Sequence, residues 1–156
     1  MRIGFTGHQE REGIDWSQVE TAIRNQLVAL GNIQEAFCSL AAGSDQLFVE
    51  EALQLGIHVI AVIPLDHYER FFHGLALKNY QRLLKLCERR SLNAVGDPHL
   101  AFFDAGKFIV DNCDVLLAVW DGEPAEGFGG TADIVAYAQR ARRPVVHINP
   151  MTGAIV

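Results

Sequence analysis

The hydrophobic pattern of the chain switches repeatedly between two periods. Arg2 to Thr6 reads as an apolar strand that stops at Gly7. Val19, Ile23, Leu27 and Leu30 recur at helical spacing, and Gly31 follows where a cap belongs. Ala36 to Leu40 predicts a second strand. Leu47, Phe48, Ala52 and Leu55 predict a second helix, capped by Gly56. Ile57 to Ile63 is a near-continuous β-branched run ended by Pro64, as expected of a strand covered on both faces in a parallel sheet.

The second half continues the alternation. Tyr68 to Arg90 reads as irregular helix interrupted by Gly74, and Ser91 to Val95 as a short strand. Ala101 to Val110 predicts a helix and Asp114 to Trp120 a clear strand. Gly129 to Ala141 predicts the last helix and Pro144 to Ile148 the last strand. Such alternation implies right-handed crossovers. The expected fold is α/β: a Rossmann-like, doubly wound, mainly parallel sheet with helices on both faces, formed as one domain over residues 1–156.

Composition supports a folded core, with 49% hydrophobic and 21% charged residues. No apolar run approaches the roughly 18 residues of a membrane span, so no membrane role is expected. The opening residues turn to glycine too early for a signal peptide. Cys38, Cys87 and Cys113 form no CxxC pair and read as reduced thiols of a cytoplasmic protein. The net charge of −6, with basic residues only in short clusters at Arg89-Arg90 and Arg140 to Arg143, makes nucleic acid an unlikely partner.

An open parallel sheet binds ligands outside the carboxyl ends of its strands. The residues there are Thr6-Gly7-His8-Gln9, then Ala41-Ala42-Gly43-Ser44-Asp45, Pro64-Leu65-Asp66, Asp121-Gly122, and Gly127-Phe128-Gly129-Gly130-Thr131. Glycines at helix starts let an anion approach unpaired N–H groups, so phosphate is the natural guest at Gly129-Gly130-Thr131. The same glycines also serve tight turns, with Thr131 as a cap. Asp45 reads equally as a helix-opening carboxylate. Asp121 reads as a sugar or base acceptor or as a turn residue. The candidate ligand-binding residues are therefore Gly7, His8, Gly43, Ser44, Asp45, Asp121, Gly122, Gly129, Gly130 and Thr131.

Several motifs are missing. GxGxxG does not follow the first strand, and GxxxxGK[ST], HExxH and GxSxG do not occur. The six histidines show no metal spacing, so no metal is expected. No catalytic residue is assigned. Phe71, Phe72, Leu75, Leu77, Leu83 and Leu84 give Tyr68–Leu86 more apolar area than a monomer's surface helix needs, which predicts a dimer; covering a sheet face is the alternative.

Three segments resemble the Rossmann-like SLOG superfamily, which groups the SMF-type DNA-processing proteins with the Lonely Guy cytokinin-activating enzymes. Met1-Arg2-Ile3-Gly4-Phe5-Thr6-Gly7-His8 resembles its "TGHR" opening, with Gln9 in the arginine's place and Arg11 close by. Ser39-Leu40-Ala41-Ala42-Gly43-Ser44-Asp45 is similar to its "GAD" loop. Asp114 to Gly122, followed by Gly129-Gly130-Thr131-Ala132-Asp133-Ile134-Val135, looks like its "DvLiavwdG…GGTadvv" signature. The resemblance implies a fold that binds a nucleotide or nucleotide-derived small molecule at the glycine loops, as a sensor or carrier. A phosphoribohydrolase cleaving the N-glycosidic bond of nucleoside monophosphates is the alternative it implies. The Lonely Guy motif PGGxGTxxE ends in a catalytic glutamate; here Ile134 stands in that place and Asp133 one residue before it. Asp121, Glu126 and Asp133 are the carboxylates near the glycine loop.

Overall fold

The computed structural model describes residues 1–9, 11–124 and 128–156; Glu126 and Gly127 lie outside them. The chain runs β1 (Arg2–Gly7), α1 (Trp16–Leu30), β2 (Glu35–Cys38), α2 (Ser44–Gln54), β3 (His58–Leu65), a 3-10 turn (Tyr68–Phe71) and α3 (Gly74–Leu84). It continues through β4 (Glu88–Ala94), α4 (Pro98–Asn112), β5 (Val115–Val119), α5 (Thr131–Arg140) and β6 (Val145–Ile148). The six strands form one sheet in the order β4-β3-β2-β1-β5-β6, and every pairing is parallel.

Helices cover both faces. Val19, Ile23 and Leu27 of α1, Phe48, Val49 and Ala52 of α2, and Tyr80 and Leu83 of α3 bury one face against Ile3, Phe5, Val59 and Ala61. Ala105, Ile109 and Val110 of α4, with Ile134 and Ala138 of α5, bury the other against Phe37, Ile60, Val62 and Leu116. Strand residues alternate between the two cores, as a period of two requires. This is the Rossmann-like, doubly wound architecture expected from the sequence, and winding reverses between β1 and β5.

Three local expectations are corrected. β3 continues through Pro64 instead of ending there, and its pairing with β4 shifts register between Ile63 and Leu65. A residue without an N–H is tolerated in a strand where the ladder is irregular. Gly74 opens α3 rather than interrupting a helix, and β4 starts at Glu88, inside the stretch read as helical. β4 is an edge strand whose Glu88, Arg89 and Arg90 are exposed, so it carries no hydrophobic alternation. Arg90 lies over the Phe108 ring, 5.7 Å from its centroid, within cation–π reach.

The apolar stretch after β3 divides. Phe72, Tyr80 and Leu83 are buried, whereas Phe71, Leu75 and Leu86 are exposed. All three cysteines are free thiols, Cys38 and Cys113 fully buried. Among the described residues no helix is long and apolar enough to cross a membrane.

Candidate functional site

A cavity of about 430 Å³ opens at the carboxyl edge of the sheet. That volume falls in the range of small-molecule sites. Its walls come from the ends of β1 and β3, the loop after β2, the 3-10 turn, α4 and the start of α5. The position is set by topology: the strands flanking the reversal send their connections to opposite faces, which leaves a crevice between them.

Of the sequence-predicted residues, Gly7, His8, Asp45, Gly129, Gly130 and Thr131 line this cavity; Gly43, Ser44, Asp121 and Gly122 stand behind or beside it. Gly7 and Gly43 are small for packing. A Cβ on Gly7 would lie 2.1 Å from Ser44 Oγ, and one on Gly43 would lie 2.1 Å from the Gln9 carbonyl oxygen. Ser44 uses that closeness as a clasp: its Oγ donates to the His8 carbonyl at 2.7 Å and its N–H to the same oxygen at 3.1 Å. The first loop and the start of α2 are therefore one packed unit.

Asp121 holds the rim together. Arg11 Nη1 donates to its Oδ2 at 2.9 Å, Glu123 N–H donates to its Oδ1 at 3.0 Å, and its own N–H donates to His8 Nε2 at 3.0 Å. Burial would raise its carboxyl, but the Glu123 N–H and the neighbouring His8 and Arg11 outweigh this and hold it below the usual carboxylate value. Arg11 itself lines the cavity and brings a positive charge to it.

The α5 loop presents backbone donors. Gly129 has φ +90°, a conformation that glycine adopts freely, and a Cβ there would meet the His99 carbonyl oxygen at 2.7 Å. Asp133 reaches back one turn to accept from the Gly129 N–H at 2.9 Å. Gly130 is the N-cap and brings no side chain, and among the described residues no side chain caps the next N–H groups of the helix start. Gly130 has φ −74°, ordinary extended backbone. Ile134, in the place of the Lonely Guy glutamate, is core: it packs against Gly106 of α4 and is 3% exposed.

Asp45 is a buried carboxylate of the cavity wall. It lies in the first turn of α2, is 6% exposed, and accepts from the Ala41 N–H at 3.2 Å. Leu40, with φ +59°, turns the chain after β2 so that Ala41 comes to face it. Burial pushes the Asp45 carboxyl up to about 7; the Ala41 N–H and the Cys38 thiol offset only part of that rise.

Sequence reasoning missed the aromatic wall. Tyr68, Phe71, Phe72, His99, Phe102 and Phe128 all line the cavity. Tyr68 meets Phe72 edge-on at 5.0 Å and Phe71 meets Phe102 edge-on at 5.2 Å. These residues come from separate elements, and only their apolar character was visible in the chain. Non-local assembly also hid a group at the opposite edge of the sheet. Glu35, His58 and Glu88 open β2, β3 and β4, and their ligand atoms lie within 4.8 Å of one another. His58 and Glu88 are hydrogen-bonded at 2.7 Å and both are exposed.

No protein-family model matches the chain, and no curated protein matches it. Solved structures do. DNA processing protein A from Streptococcus pneumoniae superposes with a TM-score of 0.66 at 22% identity, over 95% of this chain and 50% of that one. Its counterpart from Helicobacter pylori, which binds single-stranded DNA, gives 0.68 at 16% identity over 96% and 65%. The molybdenum cofactor carrier protein from Chlamydomonas reinhardtii gives 0.57 at 20% identity over 94% and 75%. The chain thus spans half to two thirds of the DNA processing proteins it matches. Because one neighbour of this fold binds single-stranded DNA, the expectation against nucleic acid, drawn from net charge, is not supported. The fold is the one these proteins share, in agreement with the SLOG resemblance of the three sequence motifs.

Proposed function

We propose that residues 1–156 act as one cytoplasmic domain that binds a nucleotide or nucleotide-derived small molecule in the cavity at the β1/β5 reversal. The phosphate sits on the Gly130 to Ala132 backbone at the start of α5, and the ring system sits against the aromatic wall. The observation that carries this reading is that one cavity is lined by both the uncapped start of α5 and a cluster of aromatic rings. A helix start carries about half a positive charge, and Arg11, ion-paired with Asp121, stands at the rim of the same cavity. A binding role fits the site better than N-glycosidic cleavage. Cleavage wants a carboxylate free beside the sugar. Of the described carboxylates that the sequence placed near the glycine loop, Asp121 is occupied by Arg11 and Glu123 and Asp133 by Gly129, Ile134 stands in the glutamate's place, and Asp45 lies on the other glycine loop, at the start of α2.

The test is a thermal-shift panel of nucleoside mono-, di- and triphosphates, since a ligand of the native state raises the unfolding midpoint. A shift by at least one nucleotide is expected, with no free base released on long incubation. No shift across the panel would overturn the reading, and released base would replace it with the hydrolase.

A further inference from the structure

Asp45 has no task in the phosphate reading. It is nine-tenths buried and still forms part of the cavity wall. The hydrogen bond from the Ala41 N–H engages Oδ2 and accounts for one of the roughly four acceptor positions of a carboxylate. The cavity that it helps to wall is lined by the rings of Phe5, Tyr68, Phe71, Phe72 and Phe102, with polar residues such as Ser39 and His8 among them. A buried polar group set in an aromatic surround is the usual means of reading the edge of a planar heterocycle, whose faces stack while its edge is hydrogen-bonded.

We infer that Asp45 recognises the edge of a 2-amino-4-oxo heterocycle, in which a ring N–H and an adjacent amino group both donate to the carboxylate. This deepens the proposed function and rests on it. The chemistry follows from the donor count. An ionised carboxylate only accepts, so it pairs with an edge offering two neighbouring donors. Guanine and pterin rings present that edge. Adenine presents a donor beside an acceptor, and a carboxylate meets its ring nitrogen with repulsion. The phosphate site is then the start of α5, which belongs to a different element of the same cavity wall.

Recognition of this kind requires Asp45 ionised, and its raised value of about 7 makes it sensitive to neutral pH. The groups facing it are the Cys38 thiol on β2 and the Tyr68 hydroxyl of the 3-10 turn. His8, Arg11, His99 and Glu123 line the same cavity from the β1 loop, α4 and the β5 loop. A comparison of two nucleotides at each pH cancels what those groups do to the shared phosphate.

The experiment is calorimetry with guanosine monophosphate, adenosine monophosphate and unsubstituted pterin on the wild type and on Asp45→Asn, each checked by circular dichroism. At about pH 7.5 the wild type is expected to favour guanosine over adenosine monophosphate about ten-fold or more, the discrimination a bidentate pair supplies. That preference should shrink on going to about pH 5.5, where Asp45 is protonated, and Asp45→Asn should lose it while still binding adenosine monophosphate. Tighter binding of pterin than of guanosine monophosphate would support the same edge and identify a pterin as its source. Equal affinity for the two nucleotides, or an undiminished guanosine preference in folded Asp45→Asn, would overturn the inference and leave the binding function standing. Absence of binding by all three compounds, in a protein that no other nucleotide stabilises, would overturn both.

Discussion

His8 Nε2 lies 3.0 Å from the Asp121 backbone nitrogen and 3.2 Å from Asp121 Oδ1, so one ring nitrogen of the β1 loop meets both the main chain and the side chain of the β5 loop. With the nitrogen unprotonated, the Asp121 N–H donates to it; with the nitrogen protonated, Oδ1 is the acceptor. Either way the two loops flanking the sheet reversal are tied together behind the cavity, and Arg11 is held at its rim by the same aspartate.

Replacing Asp121 by Ala should therefore act on architecture first. A loss of about 1–3 kcal/mol is expected, the cost of leaving partly buried donors unpaired, with weaker binding of every phosphate-bearing ligand as Arg11 loosens. The carboxyl is held below its ordinary value of 3.8. Its contribution is present above that value and lost as the pH falls through the lower folded value. Denaturant melts of the two proteins should show a steady gap at neutral pH that narrows only in strong acid.

Asp45 should show the opposite sign. Its folded value is raised from 3.8 to about 7, so the ionised form costs stability. That cost is absent below the unfolded value, grows as the pH rises between the two, and is complete above about 7. Asp45→Asn should raise the melting temperature most at alkaline pH, by the equivalent of about 2–4 kcal/mol, and not at all in strong acid. Calorimetric melts across pH check this. A uniformly destabilised variant would show that the helix-opening charge outweighs the burial.

The glycine loop has two separable roles. Gly129→Ala should unfold the loop or the protein, because φ +90° and the His99 carbonyl both oppose a side chain. Gly130 has extended backbone, so Gly130→Val should keep the fold by circular dichroism while blocking the approach of phosphate. Calorimetry that returned native nucleotide affinity for folded Gly130→Val would place the phosphate elsewhere.

Glu51 of α2 is 1% exposed and takes a bidentate pair of hydrogen bonds from Arg24 of α1, at 2.7 and 2.8 Å. Those bonds hold its carboxyl below the usual value against the opposing effect of burial. Arg24→Met should cost about 2–4 kcal/mol in urea melts, since it leaves a buried charge unpaired, whereas adding Glu51→Leu should recover much of the loss.

Self-association is the last expectation. Phe71, Leu75 and Leu86 expose apolar area near one another in sequence around α3. Light scattering at micromolar concentration should return twice the 17.2 kDa chain mass, and Leu75→Glu should return the monomer. A 17.2 kDa particle for the unmodified chain would assign these residues to ordinary surface.

The repeated change of hydrophobic period determined the number and kind of most elements, because a strand buried on both faces and an amphipathic helix each imprint a local pattern. Gly7, Gly129-Gly130-Thr131 and Asp45 could be placed at one edge from chain order alone, since parallel strands separated by helices must all end on the same side. What the chain could not show was how side chains met across that edge. The charged edge strand β4 has no apolar face to betray it. The packing of Gly43 on Gln9 and the hydrogen bond from Ser44 to His8 left no mark in the chain. Asp121 turned out to hold Arg11 and His8, and the aromatic wall drew on residues from the 3-10 turn, α4 and the β5–α5 loop. Those relations depend on distances between residues far apart in sequence, and only the folded sheet fixes such distances.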